Sequence, residues 1–197
     1  IAFPQATIRS WSSTNPTLDR HPLVAITTAA MAWCAIVQTK TALMARSVLL
    51  LVASFAICFS ASLVGIAFKP DAWFAALIKP AFQPPNWLFG PVWTLLYALM
   101  SVALWRIWRL PPSRDRRAAL MLFALQLVLN AAWTPVFFGA HAIGAALVVL
   151  AMLVPIVLAT IIQFWRIDRP ASAMLWPYLG WISFALALNA AIWWLNA

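Results

Sequence analysis

Glutamate is absent from this 197-residue chain, and its only acids are Asp19, Asp71, Asp115 and Asp168. Paired-carboxylate hydrolysis and acidic metal cages have almost nothing to be built from. Charge of either sign is scarce, at 9% of residues against roughly 25% in an average soluble domain, which excludes an ordinary soluble protein. Cysteine is nearly absent too. Cys34 and Cys58 lie in apolar surroundings, fit neither a zinc spacing nor a disulfide framework, and read as small buried hydrophobes. Glycine is low at five, and with 14 prolines in so apolar a chain this argues against collagen-like or disordered readings. What is abundant is apolar surface: 65% hydrophobic residues, 13 tryptophans and 12 phenylalanines. The net charge of +9 could suggest nucleic acid, but that needs Lys and Arg clustered on a water-exposed face. Here they sit between long apolar runs, a membrane signature that points to the lipid bilayer as partner and not to nucleic acid.

A helix needs about 20 apolar residues to cross the hydrocarbon core. Five charge-free stretches reach that size: Ser47–Phe68, about Leu88 to Trp105, Ala118–Phe138, about Ala142 to Phe164 and about Ala173 to Leu195. Lipid forces backbone groups to bond internally, and none of the stretches shows the short alternating segments of a barrel. The sequence predicts an all-α integral membrane protein, a five-transmembrane-helix bundle over residues 46–197.

Gly139-Ala140-His141 is the whole connection between the third and fourth spans, which makes those helices antiparallel neighbours. The turns over 110–117 and 165–172 are short, basic and proline-containing. Lys69 to Phe89 is long for a connection in a compact domain and carries tryptophans, lysines and Pro84-Pro85; loops of that length are usually functional or disordered, and the aromatic content argues for order. Lys40, Arg46, Arg106, Arg109, Arg114, Arg116, Arg117, Arg166 and Arg169 fall on one side of five spans, with Lys69 and Lys79 on the other. The positive-inside rule puts the N-terminus in the cytoplasm and the long loop outside, favouring a bacterial plasma membrane, with an outer or organellar membrane as the alternative. Residues 1–45 read as an N-terminal extension: a leader, disordered, or an extra apolar segment over Pro22–Val37.

No span contains Asp, Glu, Lys, Arg or His, which argues against an ion-coupled pump. The spans instead carry aromatic and amide side chains at helical spacing. Gln126, Asn130, Trp133 and Thr134 form a stripe on the third, Trp93, Tyr97 and Ser101 on the second, and Tyr178, Trp181, Ala185 and Asn189 on the fifth. Amides in lipid must find partners, so these stripes serve interhelical hydrogen bonding or ligand contact. Trp105, Trp108, Trp165, Trp176, Trp193 and Trp194 lie near span ends and fit interfacial belts. Trp93 and Trp181 lie several residues inside. Facing stripes would enclose an aromatic cavity with a few convergent polar groups, the usual description of a small-molecule site. Ala140 and Gly144 form a small-residue pair suited to close packing against the third helix.

The same residues carry a resemblance. Trp73-Phe-Ala-Ala-Leu77, Lys79-Pro80, Pro84-Pro85-Asn86-Trp87, Gly90-Pro-Val-Trp93-Thr-Leu-Leu-Tyr97, Gln126-Leu-Val-Leu-Asn130-Ala-Ala-Trp133, Phe137-Phe-Gly139 and Pro177-Tyr-Leu-Gly-Trp181 through Leu188-Asn189 resemble the TspO/MBR family. This is the family of tryptophan-rich sensory proteins, the translocator protein and the peripheral-type benzodiazepine receptor. The resemblance covers about residues 47–197. It implies a five-helix bundle with a pocket beneath the loop joining the first two helices, and porphyrins, sterols or benzodiazepine-type ligands within it. Carried over by motif, Trp93, Tyr97, Gln126, Asn130, Trp181 and Ala185 line the pocket, and Trp73, Leu77, Lys79, Pro80, Pro84 and Pro85 form its lid.

The resemblance implies a receptor or carrier for porphyrins, haem-like tetrapyrroles or similar flat apolar ligands, with no cofactor required. One alternative is a light-dependent protoporphyrin-degrading enzyme in which Trp93 and Trp181 stack on the macrocycle; no nucleophile, metal set or tuned acid–base pair is visible to support other catalysis. Another is a sterol or lipid translocator, although the segment from Asn189 to Trp194 lacks the Tyr-then-basic pattern of sterol-binding relatives. A third is a scaffold whose stripes only pack helices. The small-xxx-small pair through which relatives are thought to form a homodimer reads Met121 and Leu125 here.

Overall fold

The computed structural model describes residues 22–197. They form α1 (Pro22–Ala67), the short α2 (Ala72–Ala76), α3 (Asn86–Trp108), α4 (Arg114–Thr134) with a π-type turn (Pro135–Gly139), α5 (Ile143–Ile167), the short α6 (Arg169–Ala173) and α7 (Trp176–Asn196). Among the described residues, five helical segments are long and apolar enough to cross a membrane: Trp33–Gly65, Asn86–Trp108, Arg114–Gly139, Ile143–Ile167 and Arg169–Asn196. The protein is an integral, multi-pass, all-helical membrane protein.

The chain divides into two compact units, Ile1–Ser47 and Val48–Ala197. In the first, helix begins at Pro22, well before the expected first span. No glycine or proline lies between Leu23 and Val64 to stop it. Of the N-terminal extension expected over residues 1–45, residues 1–21 lie outside the described residues. Cys34 is exposed, contrary to the expectation of two buried cysteines, whereas Cys58 in the second unit is fully buried. An apolar helix face in lipid has no need of protein cover, so apolar surroundings in sequence do not imply burial.

Within the second unit the helix ends follow local chemistry. Pro84-Pro85 precedes α3, and Ser113 caps α4 by accepting the Arg116 N–H. Pro135 lacks the N–H that would satisfy the carbonyl one turn back, and the turn widens there: Ala140 N bonds to Pro135 O at 2.8 Å and Ala142 N to Val136 O at 3.2 Å. The chain can then reverse within a few residues. α4 packs along α5, and α5 along α7. The contact surfaces use small residues, Ala103, Ala119, Ala146 and Ala171, all fully buried, because helices in lipid associate through close packing and not through a hydrophobic driving force. Phe123 of α4 stacks on Phe164 of α5 with centroids 6.0 Å apart. Gly144 corrects one expectation. A Cβ there would lie 3.2 Å from the Trp193 indole nitrogen, so its smallness admits α7, not α4, because the first turn of α5 faces the last helix. Ala140, its expected partner in the pair, is exposed.

Candidate functional site

The aromatic and amide stripes of α3, α4 and α7 do converge. Tyr97 of α3 donates to Asn130 Oδ1 of α4 at 3.2 Å, and Asn130 Nδ2 donates to Tyr178 of α7 at 2.7 Å. These are the chain's only two tyrosines, and one buried amide satisfies both. Nearer the loops, Trp133 donates to Asn189 Oδ1 at 3.2 Å, and Asn189 Nδ2 caps the Ile143 carbonyl at 3.0 Å. These bonds fix the spacing of three helices, and the space between them stays open.

That space is a cavity of about 600 Å³, inside the range of roughly 300–1,000 Å³ usual for small-molecule sites. Trp93, Tyr97, Asn130, Trp133, Trp181 and Ala185 line it. Trp93 stacks on Tyr97 at 5.4 Å and meets the Tyr178 ring edge-on at 6.3 Å. Across the cavity Trp181 meets Phe89 at 5.7 Å, and Trp133 stacks on Phe137 at 5.0 Å. No Asp, Glu, Lys, Arg, His or Cys is among the lining residues. Trp133 spends its indole N–H on Asn189, whereas those of Trp93 and Trp181 bond to nothing among the described residues. The site therefore offers flat aromatic walls, two indoles without a hydrogen-bond partner among the described residues, amide groups and the hydroxyls of Ser62, Thr94 and Thr134. Among the described residues no group of three or more His, Cys, Asp or Glu could hold a metal.

The loop over residues 68–85 closes one end. Asp71 caps α2 by accepting the Phe74 N–H at 3.1 Å, and Phe74 packs edge-on against Phe137 and Phe138 at the head of α4. Lys79 donates to the Ala75 and Leu77 carbonyls and lies 4.9 Å from the Phe74 ring centre. Asn196 of α7 clasps Ile78 twice, accepting its N–H and donating to its carbonyl, both at 2.9 Å. A Cβ on Gly139 would come within 2.7 Å of the Phe68 ring, so glycine lets the loop's first residue lie against the α4 turn.

Two of the expected pocket residues stand behind the wall instead of in it. Tyr178 is fully buried beneath Trp93, and Gln126 is buried with only a long contact, 3.9 Å, to the Met100 sulfur; its oxygen has no partner. One turn along a helix carries a side chain about 6 Å along the axis, enough to pass the cavity floor. None of the loop residues expected as a lid, Trp73, Leu77, Lys79, Pro80, Pro84 and Pro85, lines the cavity. Pro70, Phe74 and Gln83 of the loop do, as does Asn86 at the start of α3. Trp73 turns outward onto His141, because neighbouring positions on the single helical turn of α2 point about 100° apart. Most lining residues missed by the stripes are apolar, among them Phe59 of α1, Phe68 at the start of the loop, Phe89, Phe137 and Phe138, and Leu150 and Leu153 of α5; Ser62 and Thr94 are missed hydroxyls. Nothing in their spacing separates them from ordinary core or lipid-facing residues. A second, open groove of about 470 Å³ is lined by Ile57, Trp108, Phe123 and neighbours, almost wholly apolar, and lacks convergent polar groups.

The profile of the TspO/MBR family matches residues 47–195. Among individual proteins, the tryptophan-rich protein TspO of Archaeoglobus fulgidus is 42% identical over 154 residues, which cover 77% of this chain and 99% of that protein. Protein CrtK of Rhodobacter capsulatus is 39% identical over 143 residues, 72% of this chain and 89% of its own length. The human translocator protein is 38% identical over 123 residues, 61% of this chain and 73% of its own.

Proposed function

The chain belongs to the TspO/MBR family, and from that premise we propose that it is a membrane receptor or carrier whose intrabundle cavity binds porphyrins or similar flat, largely apolar ligands. One observation carries the reading: a cavity of about 600 Å³ walled by Trp93, Tyr97, Trp133 and Trp181 with two indole donors unspent. Stacking rewards a planar ring, and the free indole N–H groups meet its acceptors where no water competes. The relative named as a translocator protein supports a transport or receptor role. A charged group on the ligand would find no counter-ion inside; its carboxylates extend toward the lid, where Lys79 sits over Phe74. The bilayer is the protein's solvent. With the Arg-rich turns on the cytoplasmic side of a bacterial plasma membrane, the lid opens to the opposite compartment.

A second reading rests on the contact of Trp93 with both tyrosine rings: a light-driven oxidative breakdown of bound protoporphyrin, with dissolved dioxygen as the oxidant that is reduced and Trp93 and Trp181 relaying electrons. One experiment addresses both. Detergent-purified protein is titrated with protoporphyrin IX in the dark, following tryptophan fluorescence, and then illuminated while absorbance is recorded. The wild type quenches saturably. Ala185→Phe, which fills the cavity from its wall, weakens binding at least about tenfold, the equivalent of about 1.4 kcal/mol. Absence of saturation in the wild type overturns the receptor reading. Bleaching that Trp93→Phe/Trp181→Phe abolishes moves the assignment to the enzyme, and bleaching that it leaves unchanged removes the enzyme.

A further inference from the structure

Beside its aromatic packing, the lid is held by two polar ties of different chemistry. At one, Asn196 clasps the Ile78 backbone through neutral hydrogen bonds. At the other, the tie is ionisable. His141 Nε2 lies 3.2 Å from Asp71 Oδ2, and the same imidazole stacks on the Trp73 ring with centroids 4.1 Å apart and planes within 15°. His141 thus meets the lid through a carboxylate and a π-face together, and both interactions strengthen when the ring carries a proton. It is also the one described non-glycine residue with positive φ, at 53°. A left-handed backbone at such a residue persists only where its surroundings hold it. Here the bonds of Ala140 and Ala142 back to Pro135 and Val136 do so, presenting the ring to Asp71 and Trp73 of the lid.

We propose that Asp71, Trp73 and His141 form a proton-operated latch on the lid, closed while His141 is protonated and released when it loses its proton, so that pH sets the rate at which a ligand leaves the cavity. The inference rests on the cavity being a ligand site and supplies its regulation. Histidine is the side chain whose charge changes near neutrality. The Phe74 N–H first, and then the charge of His141, hold the Asp71 carboxyl below its ordinary range, although desolvation opposes them. Asp71 therefore stays ionised through mild acid. The sign follows. The pair is complete while His141 carries a proton and Asp71 does not, weakens once the imidazole is neutral, and fails in strong acid as Asp71 protonates. Lys69 and Lys79 are the other ionisable groups of the lid, and Lys79 is engaged with the Ala75 and Leu77 carbonyls. α4, α5 and α7 carry no other ionisable side chain at this end. His141 and Asp71 are 41% and 48% exposed, so protons reach them without unfolding.

The test follows release of protoporphyrin IX dimethyl ester, whose blocked carboxylates do not titrate, from the full-length protein into empty liposomes. Recovery of tryptophan fluorescence reports the rate at pH 6 and pH 8.5. The wild type releases the probe about threefold faster at pH 8.5, the scale of an exposed ion pair. His141→Lys, permanently charged, is slow at both pH values. His141→Asn, neutral and at home in a left-handed backbone, is fast at both. Bound probe with a pH-independent wild-type rate, a pH dependence that survives in His141→Asn, or equal rates in the Lys and Asn variants would each overturn the latch and leave the cavity reading standing. No saturable binding at either pH overturns both.

Discussion

At the scale of single residues, the third-span stripe contains two amides one helical turn apart whose fates differ. Asn130 uses its oxygen for Tyr97 and its nitrogen for Tyr178, while Gln126 reaches only a thioether and leaves its oxygen without a partner. Replacing Asn130 by Leu strands two buried hydroxyls. At about 1–3 kcal/mol for each unsatisfied group, the variant is destabilised by about 2–6 kcal/mol in detergent unfolding. Gln126→Leu removes an orphaned acceptor and is expected to change stability by less than about 1 kcal/mol, in either direction. If the two variants prove equally damaging, the hydrogen-bond assignment along this stripe is wrong. Sequence shows that both amides face inward, because helical spacing fixes direction. It does not show which one meets two tyrosines, because the partners stand 33 and 48 positions away on other helices.

Among the elements, the end opposite the lid is fastened by charge. Asp168 accepts Arg106 Nε and Nη2, both at 3.0 Å, and also caps α6 through the Ala171 N–H at 2.9 Å. Desolvation alone would raise this carboxyl, but the Arg106 bonds, the cap and the nearby charge of Arg109 outweigh it and hold it below its usual range. A depressed carboxyl contributes stability that is present above about pH 4 and lost as pH falls through its folded value. Asp168→Asn is therefore expected to lower stability by about 1 kcal/mol at pH 7. Its thermal midpoint should then fall less steeply than that of the wild type on acidification; parallel curves would count against the pairing. In the sequence Arg106 is one more charge among the basic turns. Its pairing with a helix cap emerges only because α3 and α6 meet. The lid shows the reverse case: a long aromatic connection is legible as ordered, but its inward face is decided by the phase of one helical turn at Ala72–Ala76.

For the molecule as a whole, charge asymmetry predicts orientation. In a background lacking Cys34 and Cys58, a cysteine at the exposed lid position Phe82 should react with a membrane-impermeant maleimide on intact bacterial cells. One at the exposed turn position Arg114 should react only after permeabilisation. The opposite pattern would invert the topology and place the lid in the cytoplasm. Apolar length, charge-free runs and proline-bearing turns determined the membrane class, the number of spans and the neighbourhood of the third and fourth helices, because bilayer thickness and the need to bond the backbone internally leave one solution for such a pattern. The aromatic stripes on α3, α4 and α7 were legible for the same reason, as 3.6-residue periodicity is local. The depth of the cavity floor was left to the tertiary structure, and so were the phenylalanines and leucines that complete its walls and the meeting of Asp71 and Trp73 with His141. These depend on how far helices joined by remote turns slide along one another, and apolar side chains in lipid carry no sequence mark that distinguishes a pocket wall from a face turned to the membrane.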